Sequence, residues 1–405
     1  MRVVVNQLAG LGQKTGIGHY TAELLRCMRA QRGDDEIEVF PTGWLRRAGR
    51  TYKRARPYLD PPAAANGKHP SSTSLMSRQG KSLVWRLQDL GKAWVARRFR
   101  RACARNRYDL YHEPNFIPFP SDCLTVVTVH DLSVLLHPEW HPADRVAYFE
   151  KHFRKGLDLA SHILAISDFG REEIIRTLAV SPERVTRTYM GIRRGLRPLA
   201  QEEIAPILAQ LGLPPQYLLY LGTIEPRKNV LRLMRAYCTL PESLRTRWPL
   251  LLVGGWGWNT KDTADYFHSC ARHRGVMHLG YVKDRYLAAV YNGARALIYP
   301  SLYEGFGLPP LEMMACGGAV ITSTAGALVE TVGGRAHLVE PEDDQGWRDA
   351  MMRVVQDNER WQMLRTDVVQ EAEAFTWERC ASETLAVYQK VLNGTLNSHP
   401  LRAAG

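Results

Sequence analysis

Two carboxylates eight positions apart, Glu304 and Glu312, bracket the string Gly305-Phe306-Gly307-Leu308-Pro309-Pro310-Leu311. The string follows the apolar run Ala296–Tyr299, so it reads as a strand end, a glycine loop and the start of a helix. Gly305 and Gly307 let a backbone approach a ligand closely, and Pro309 or Pro310 suits a first helical turn, whose free N–H groups favour negative charge. With Glu304 in the loop and Glu312 in the helix's first turn, both carboxylates open at the carboxyl end of a parallel strand, where open α/β sheets bind ligands. A carboxylate can accept from two neighbouring hydroxyls at once, which suits a sugar or ribose diol. Singly, Glu312 could merely complement the helix dipole and Glu304 could be a solvated turn residue.

A second string, Leu221-Gly222-Thr223-Ile224-Glu225-Pro226-Arg227-Lys228-Asn229, also lies between a strand and a helix. Asn229 is placed as an N-cap, and Val230, Leu233, Met234, Tyr237 and Cys238 give the helix that follows its apolar face. Arg227 and Lys228 then sit at a strand's carboxyl end, where two cations can neutralise a diphosphate. An isolated cation pair could equally be solvated; a sheet shared with the glutamate loop would give the pair a purpose.

The elements that must position these residues are βα units. Short β-branched runs alternate with longer amphipathic stretches, the pattern of parallel sheets covered by helices. Strands are expected at Val3–Val5, Glu38–Phe40, Asp109–Tyr111, Leu124–Val129, His162–Ile166 and Val185–Tyr189 in the first half. In the second they are expected at Tyr217–Leu221, Leu250–Val253, Val276–Leu279, Ala296–Tyr299, Ala319–Thr322 and His337–Val339. Between the series, Gly191–Pro215 is rich in Gly, Pro and charge and reads as the linker. The expected fold is α/β, with two Rossmann-like domains facing each other across a cleft: residues 1–200, with a basic insertion at about 45–107, and residues 201–375. A helix at 376–393 could pack back on the N-terminal domain, and 394–405 form a tail.

A chain of 405 residues exceeds one ordinary core, which agrees with two domains. Its seven cysteines are scattered, without CxxC or Cys/His spacing, which points to a reducing compartment and no structural metal. The N-terminus lacks a signal-peptide pattern and no apolar run approaches a membrane span, so a cytoplasmic protein is expected. The formal charge of +12 calls for an anionic partner. Between Arg46 and Arg107 stand seventeen Lys or Arg against two acids. Residues 83–107 read as a helix with Leu83, Leu87, Leu90 and Trp94 on one stripe and Arg97, Arg98, Arg100, Arg101 and Arg105 at its far end. Such a helix either docks on an anionic membrane surface or packs on the sheet with solvated arginines.

Together, the two strings resemble those of the retaining glycosyltransferases of family four, which have the B-type two-Rossmann architecture. Val253-Gly254-Gly255, Leu279-Gly280-Tyr281-Val282 and Ala315-Cys316-Gly317 fall in the order of that family. In the first half Gly16-Ile17-Gly18, Tyr111-His112-Glu113-Pro114-Asn115, Val127-Thr128-Val129-His130-Asp131-Leu132 and Ile163-Leu164-Ala165-Ile166-Ser167 are collinear with it. The resemblance implies that Glu312 holds the nucleotide ribose. It assigns the donor sugar hydroxyls to Glu304 with the backbone at Gly305, Phe306, Gly307 and Leu308, and the diphosphate to Arg227 and Lys228, with Gly16, Gly18 and Thr223 lining the donor site. His130 would lie over the sugar near the anomeric carbon, and His112 and Asp131 would meet the acceptor. Many relatives carry Arg where this chain has Thr223, and Arg227 would supply that charge.

The resemblance further implies an oxocarbenium-like reaction with retention, in which Lys228, Arg227 and helix-end amides stabilise the leaving diphosphate without a metal or other cofactor. The form of the Arg227-Lys228 loop is similar to that of mannosyltransferases building surface polysaccharides. GDP-mannose is thus the expected donor, with UDP-glucose or dTDP-rhamnose as alternatives, and the expected acceptor is a saccharide or lipid-linked saccharide. The rival readings are a nucleic-acid-binding protein, motivated by charge alone, another B-type enzyme such as an epimerase or phosphorylase, and an inactive partner subunit. The basic stretch lacks the interleaved aromatics of a nucleic-acid platform, so no nucleic-acid partner is expected.

Overall fold

The computed structural model describes residues 1–11, 16–43 and 78–395, in which the apolar runs form two six-stranded parallel sheets. The first sheet has the order β2-β1-β3-β4-β5-β6, from β1 (Arg2–Asn6), β2 (Glu36–Phe40), β3 (Leu110–Glu113), β4 (Leu124–Val129), β5 (His162–Ala165) and β6 (Val185–Arg187). The second has the order β12-β11-β10-β7-β8-β9. Its strands are β7 (Tyr217–Leu221), β8 (Leu250–Val253), β9 (Val276–Gly280), β10 (Ala294–Tyr299), β11 (Ala319–Ser323) and β12 (His337–Val339). Each expected strand is present, with ends differing by a few residues. Strands β7 and β10 are buried along their whole length, as apolar runs covered by helices on both faces should be.

The order of the second sheet reverses at β7. Its neighbours are β8 on one side and β10 on the other, in register Leu219 against Leu251 and against Leu297. The loops that leave β7 and β10 therefore start from adjacent strand ends at the reversal, the place where open sheets of this kind bind ligands. The corresponding reversal in the first sheet lies between β1 and β3.

Helices cover both sheets. Those that bear on the site are α1 (Gly16–Gln31), α2 (Arg78–Asn106), α3 (Asp168–Leu178), α4 (Val230–Cys238), α5 (Leu308–Ala315), α6 (Leu328–Val332) and α7 (Trp377–Leu392). Although α7 follows the second sheet in the chain, it lies along α1 of the first half. The Trp377 ring is 5.9 Å from that of Tyr20, Tyr388 shares a 2.5 Å hydrogen bond with His112 Nδ1, and Arg26 and Arg194 pair with Glu378. The helix Gln201–Gln210 belongs to the second half, packed on the helix Asp284–Asn292. The halves are thus joined twice, by the segment after β6 and by the chain leading into α7.

Helix α2 is longer than the expected 83–107. The side chains of Leu83, Leu87 and Leu90, the stretch 44–77 and the tail from 396 onwards lie outside the described residues. In its second half Phe99 is fully buried, its ring 4.4 Å from Tyr111 and 5.0 Å from Phe40, and Cys103 is buried beside it. Trp94 is 42% exposed, and Arg97, Arg98, Arg100, Arg101 and Arg105 are all exposed. One face anchors the helix and the other is cationic. Among the described residues no helix is long and apolar enough to cross a membrane.

Because Trp377 is almost wholly buried between the halves, Trp377→Ala should destabilise the protein by about 3–5 kcal/mol. Urea denaturation checks this, and an unchanged midpoint would mean that α7 contributes little to the first half.

Candidate active site

The loop after β7 and the loop after β10 are tied together before any side-chain chemistry is considered. The Leu302 N–H donates to the Arg227 carbonyl at 2.8 Å, and the Asn229 amide donates to the carbonyls of Pro300 at 3.1 Å and Pro341 at 2.9 Å. Asn229 occupies the N-cap position of α4 but does not cap it, which corrects the sequence reading: its side chain is spent on joining three loops. The loop after β11 supports the same construction, since the Ala327 N–H donates to the Glu304 carbonyl at 2.9 Å and Ser323 Oγ donates to the Ser301 carbonyl at 2.6 Å.

On this scaffold Lys228 and Glu304 meet directly. Lys228 Nζ donates to Glu304 Oε1 and, at 2.7 Å, to the Tyr299 hydroxyl, while Ser301 Oγ donates to Glu304 Oε1 at 2.7 Å. Arg227 Nη1 donates to Glu304 Oε2 at 3.0 Å and to the Tyr303 carbonyl at 3.0 Å. Both residues of the ion pair are buried. Burial opposes ionisation of Glu304, but Lys228, Arg227 and the hydrogen bonds outweigh it and hold the carboxyl down to about 2. Burial pulls the Lys228 ammonium below its ordinary value, with Glu304 opposing.

Arg227 is less free than the sequence reading supposed. Its Nε and Nη2 both donate to Glu225 Oε1, at 3.2 and 3.0 Å, so most of its donors are committed to two carboxylates and a carbonyl. Arg227 fastens the glutamate loop, and Lys228, with two of its three N–H donors committed, pairs with the same carboxylate. Glu225 was missed as a site residue, although its place two positions before Arg227 was a visible signal. Thr223 is exposed, its carbonyl accepting from the Tyr220 hydroxyl.

The glutamate loop also touches the first half. A Cβ on Gly305 would lie 2.1 Å from the His130 carbonyl oxygen, so only glycine permits this approach. Ser167 Oγ donates to the Gly305 carbonyl at 2.7 Å, and the Leu132 N–H donates to the Tyr303 hydroxyl at 3.1 Å, which itself donates to Glu173. Gly307 holds φ +101° as it turns into α5, whose second and third residues are Pro309 and Pro310. Those prolines have no N–H, which leaves the amides of Gly307 and Leu308 as the donors at this helix start. The Phe306 ring is buried, 5.8 Å from Phe375.

His130 and Asp131 follow β4 directly and lie against this loop. His130 Nε2 is 2.8 Å from the Pro114 carbonyl, which can only accept; that nitrogen therefore carries the proton and Nδ1 carries the lone pair. Burial lowers the His130 pKa, so the ring is neutral near pH 7. Asp131 Oδ1 accepts from Ser133 N at 3.0 Å and Ser133 Oγ at 2.7 Å. Burial acts against its charge, but Arg227 and Ser133 keep Asp131 below the usual carboxylate range. Gly16 and Gly18 open α1, and His19 beside them faces Asp284 of the second half at 3.4 Å.

Two sequence expectations are corrected by packing. His112 has no exposed surface, and its ring nitrogens meet Thr128 Oγ1 at 2.8 Å and the Tyr388 hydroxyl; it joins β3 to α7 and cannot meet an acceptor. Glu312 lies in the second turn of α5, not the first, and is fully buried, with Oε2 accepting from Tyr291 at 2.7 Å and Arg193 at 3.1 Å. Arg193 gave no signal in the sequence. Among the described residues no group of three His, Cys, Asp or Glu is placed to hold a metal ion.

Two parallel-sheet halves meeting through their carboxyl-end loops, with a cation–carboxylate cluster at the reversal of the second sheet, define the class of B-type glycosyltransferases. The chain belongs to glycosyltransferase family 4: that family's profile matches residues 15–194, and the profile described as glycosyl transferases group 1 matches residues 207–373. The O-antigen chain mannosyltransferase B of Escherichia coli is 33% identical over 380 residues, covering 93% of this chain and 96% of that protein. A serotype-specific mannosyltransferase, WbdA of Escherichia coli, is 29% identical over 281 residues, 67% of this chain and 34% of its own length. Among solved structures, sucrose-phosphate synthase from Thermosynechococcus elongatus superposes with a TM-score of 0.68 at 21% identity, covering 97% of this chain and all of that one, a likeness of fold.

Glu304 titrates at about 2 in the folded chain against an ordinary 4.5. Its contribution to stability is therefore complete above pH 4.5 and is lost as pH falls through about 2. Glu304→Gln should destabilise the protein by roughly 3 kcal/mol near neutrality, because it strands two buried cations. The gap in urea midpoint between the two proteins should narrow from about pH 6 towards about pH 3, and a constant gap would contradict the assignment.

Proposed function

We propose that this glycosyltransferase transfers mannose from GDP-mannose, with retention of anomeric configuration, to a saccharide or lipid-linked saccharide during synthesis of a surface polysaccharide. One observation carries the reading: the Lys228–Glu304 pair stands at the reversal of the second sheet in a chain related over 93% of its length to an O-antigen chain mannosyltransferase. In this reading the Lys228 ammonium and the amides at Gly307 and Leu308 stabilise charge on the departing diphosphate. Glu304 takes donor sugar hydroxyls, and Glu312 takes the ribose. His130, neutral and with its lone pair on Nδ1, accepts from a hydroxyl near the reacting carbon, and Asp131 faces the acceptor across the cleft. Arg227 acts mainly through Glu304. No metal is required, since protein cations meet the diphosphate.

Thermal shift across GDP-mannose, UDP-glucose and dTDP-rhamnose should single out GDP-mannose, and the product's anomeric coupling should match the donor's. Lys228→Ala should lower kcat/KM by about 100-fold or more. Activity should survive excess chelator; loss reversed by manganese would reject the metal-free reading.

The cationic face of α2 gives the proposal a location, the inner face of the cytoplasmic membrane, where a lipid-linked acceptor would be presented. Five exposed arginines beside Trp94, on a helix anchored by Phe99 and Cys103, complement anionic lipid. Vesicles containing phosphatidylglycerol should float the protein at low salt and release it at high salt. Equal flotation with neutral vesicles would contradict this.

A further inference from the structure

Arg193 lies on the segment that joins the halves, between β6 and the helix Gln201–Gln210. Its Nη1 is 3.1 Å from Glu312 Oε2, and the Tyr291 hydroxyl donates to the same oxygen at 2.7 Å. The carboxylate is fully buried on α5, so its charge must be compensated from nearby. The groups that face it are Arg193 from the linker, Tyr291 and Asp284 from the helix Asp284–Asn292, and Cys316 from the end of α5. Arg193 is the one cation among them, and Tyr281 and Asp284 also face Arg193. Burial raises the Glu312 pKa, with Asp284 acting in the same direction, while the Arg193 guanidinium, the Tyr291 hydroxyl and the backbone N–H of Arg193, which also points at the carboxylate, draw it back.

The pair is also incomplete. Glu312 Oε1, an acceptor, and Arg193 Nε–H, a donor, are both buried without a hydrogen-bond partner among the described residues. Buried polar atoms are rarely left so, and two on one ion pair point to a ligand that satisfies both. A hydroxyl donates and accepts, and so can serve the carboxylate oxygen and the guanidinium together.

We propose that Arg193 is a positioning residue for the nucleotide: it keeps the Glu312 carboxylate charged and turned so that ribose hydroxyls bridge Glu312 Oε1 and Arg193 Nε. The proposal rests on Glu312 as the ribose carboxylate. It also places half of the ribose site on the linker, one of the two segments that join the halves. Both atoms are enclosed, so the linker must give way as the ribose is admitted, and donor binding is thereby coupled to movement between the halves.

The test is calorimetric binding of GDP, or of whichever nucleoside diphosphate the donor screen selects, and of its 2′,3′-dideoxy analogue, from about pH 6 to about pH 9. The wild type should prefer the ribose form. Arg193→Met should bind it about tenfold more weakly at neutral pH and lose the preference, with affinity recovering as pH rises and Glu312 ionises. Arg193→Lys, which retains charge without Nε–H, should keep the wild-type pH profile and lose much of the preference; this variant decides if Arg193→Met does not fold. Glu312→Gln should lose the preference at every pH. If Glu312→Gln retains it, the ribose reading of Glu312 fails. If Glu312→Gln loses it while the Arg193 variants keep wild-type preference and pH dependence, the role of Arg193 is overturned and the site reading stands.

Discussion

A lysine ammonium removed from water costs several kcal/mol unless a carboxylate meets it at hydrogen-bond range. Lys228 is buried and meets Glu304, and Glu304 in turn compensates Arg227. Glu225 meets Arg227 within its own loop, but Lys228 and Glu304 find their counter-charge across the two loops. The ion pair therefore requires β7 and β10 to be neighbours, which is the reversal in strand order that defines the second sheet. Supporting bonds from Asn229, Ser301, Ser323 and Ala327 hold the two loops, and with them the pair, in one arrangement.

The same loop carries the contact between the halves. Gly305 abuts the His130 carbonyl, Tyr303 bridges Leu132 to Glu173, and Glu330 of α6 accepts from the amides of Asp168 and Phe169 at the start of α3. Each contact joins a carboxyl-end loop, or the helix that follows it, in one half to its counterpart in the other. The residues that would hold a donor are thus also the residues that sense the first half. Linker and α7 add two covalent crossings, with Arg193 on the first and Trp377 on the second.

Much of this was legible in the sequence. Apolar runs bounded by glycine and charge located the strands among the described residues, most clearly β7, β8 and β10, because a strand covered on both faces must be apolar throughout. The strings at Gly222–Asn229 and Glu304–Glu312 were legible because glycine, proline and charge rarely coincide without a turn to build. What escaped was set by tertiary packing. His112 ends a strand as a ligand-binding histidine could, yet α7, 276 positions away, covers it. Glu312 looked like a first-turn acid, but α5 starts at Leu308 and places it one turn deeper. Arg227 looked free because its carboxylate partners lie in a bend and in another loop. Arg193 shares no local pattern with Glu312, and only the path of the linker brings them together.

If a donor binds at this cluster, Lys228 and Glu304 must act on it as one unit, because each compensates the other's buried charge. A double-mutant cycle of Lys228→Met and Glu304→Gln, read by calorimetric binding of the nucleotide sugar, measures this directly. The double variant should bind about as weakly as the worse single variant, a coupling of about 1–3 kcal/mol. Additive losses, or single variants that bind as the wild type does, would show that the pair supports the fold without serving the donor.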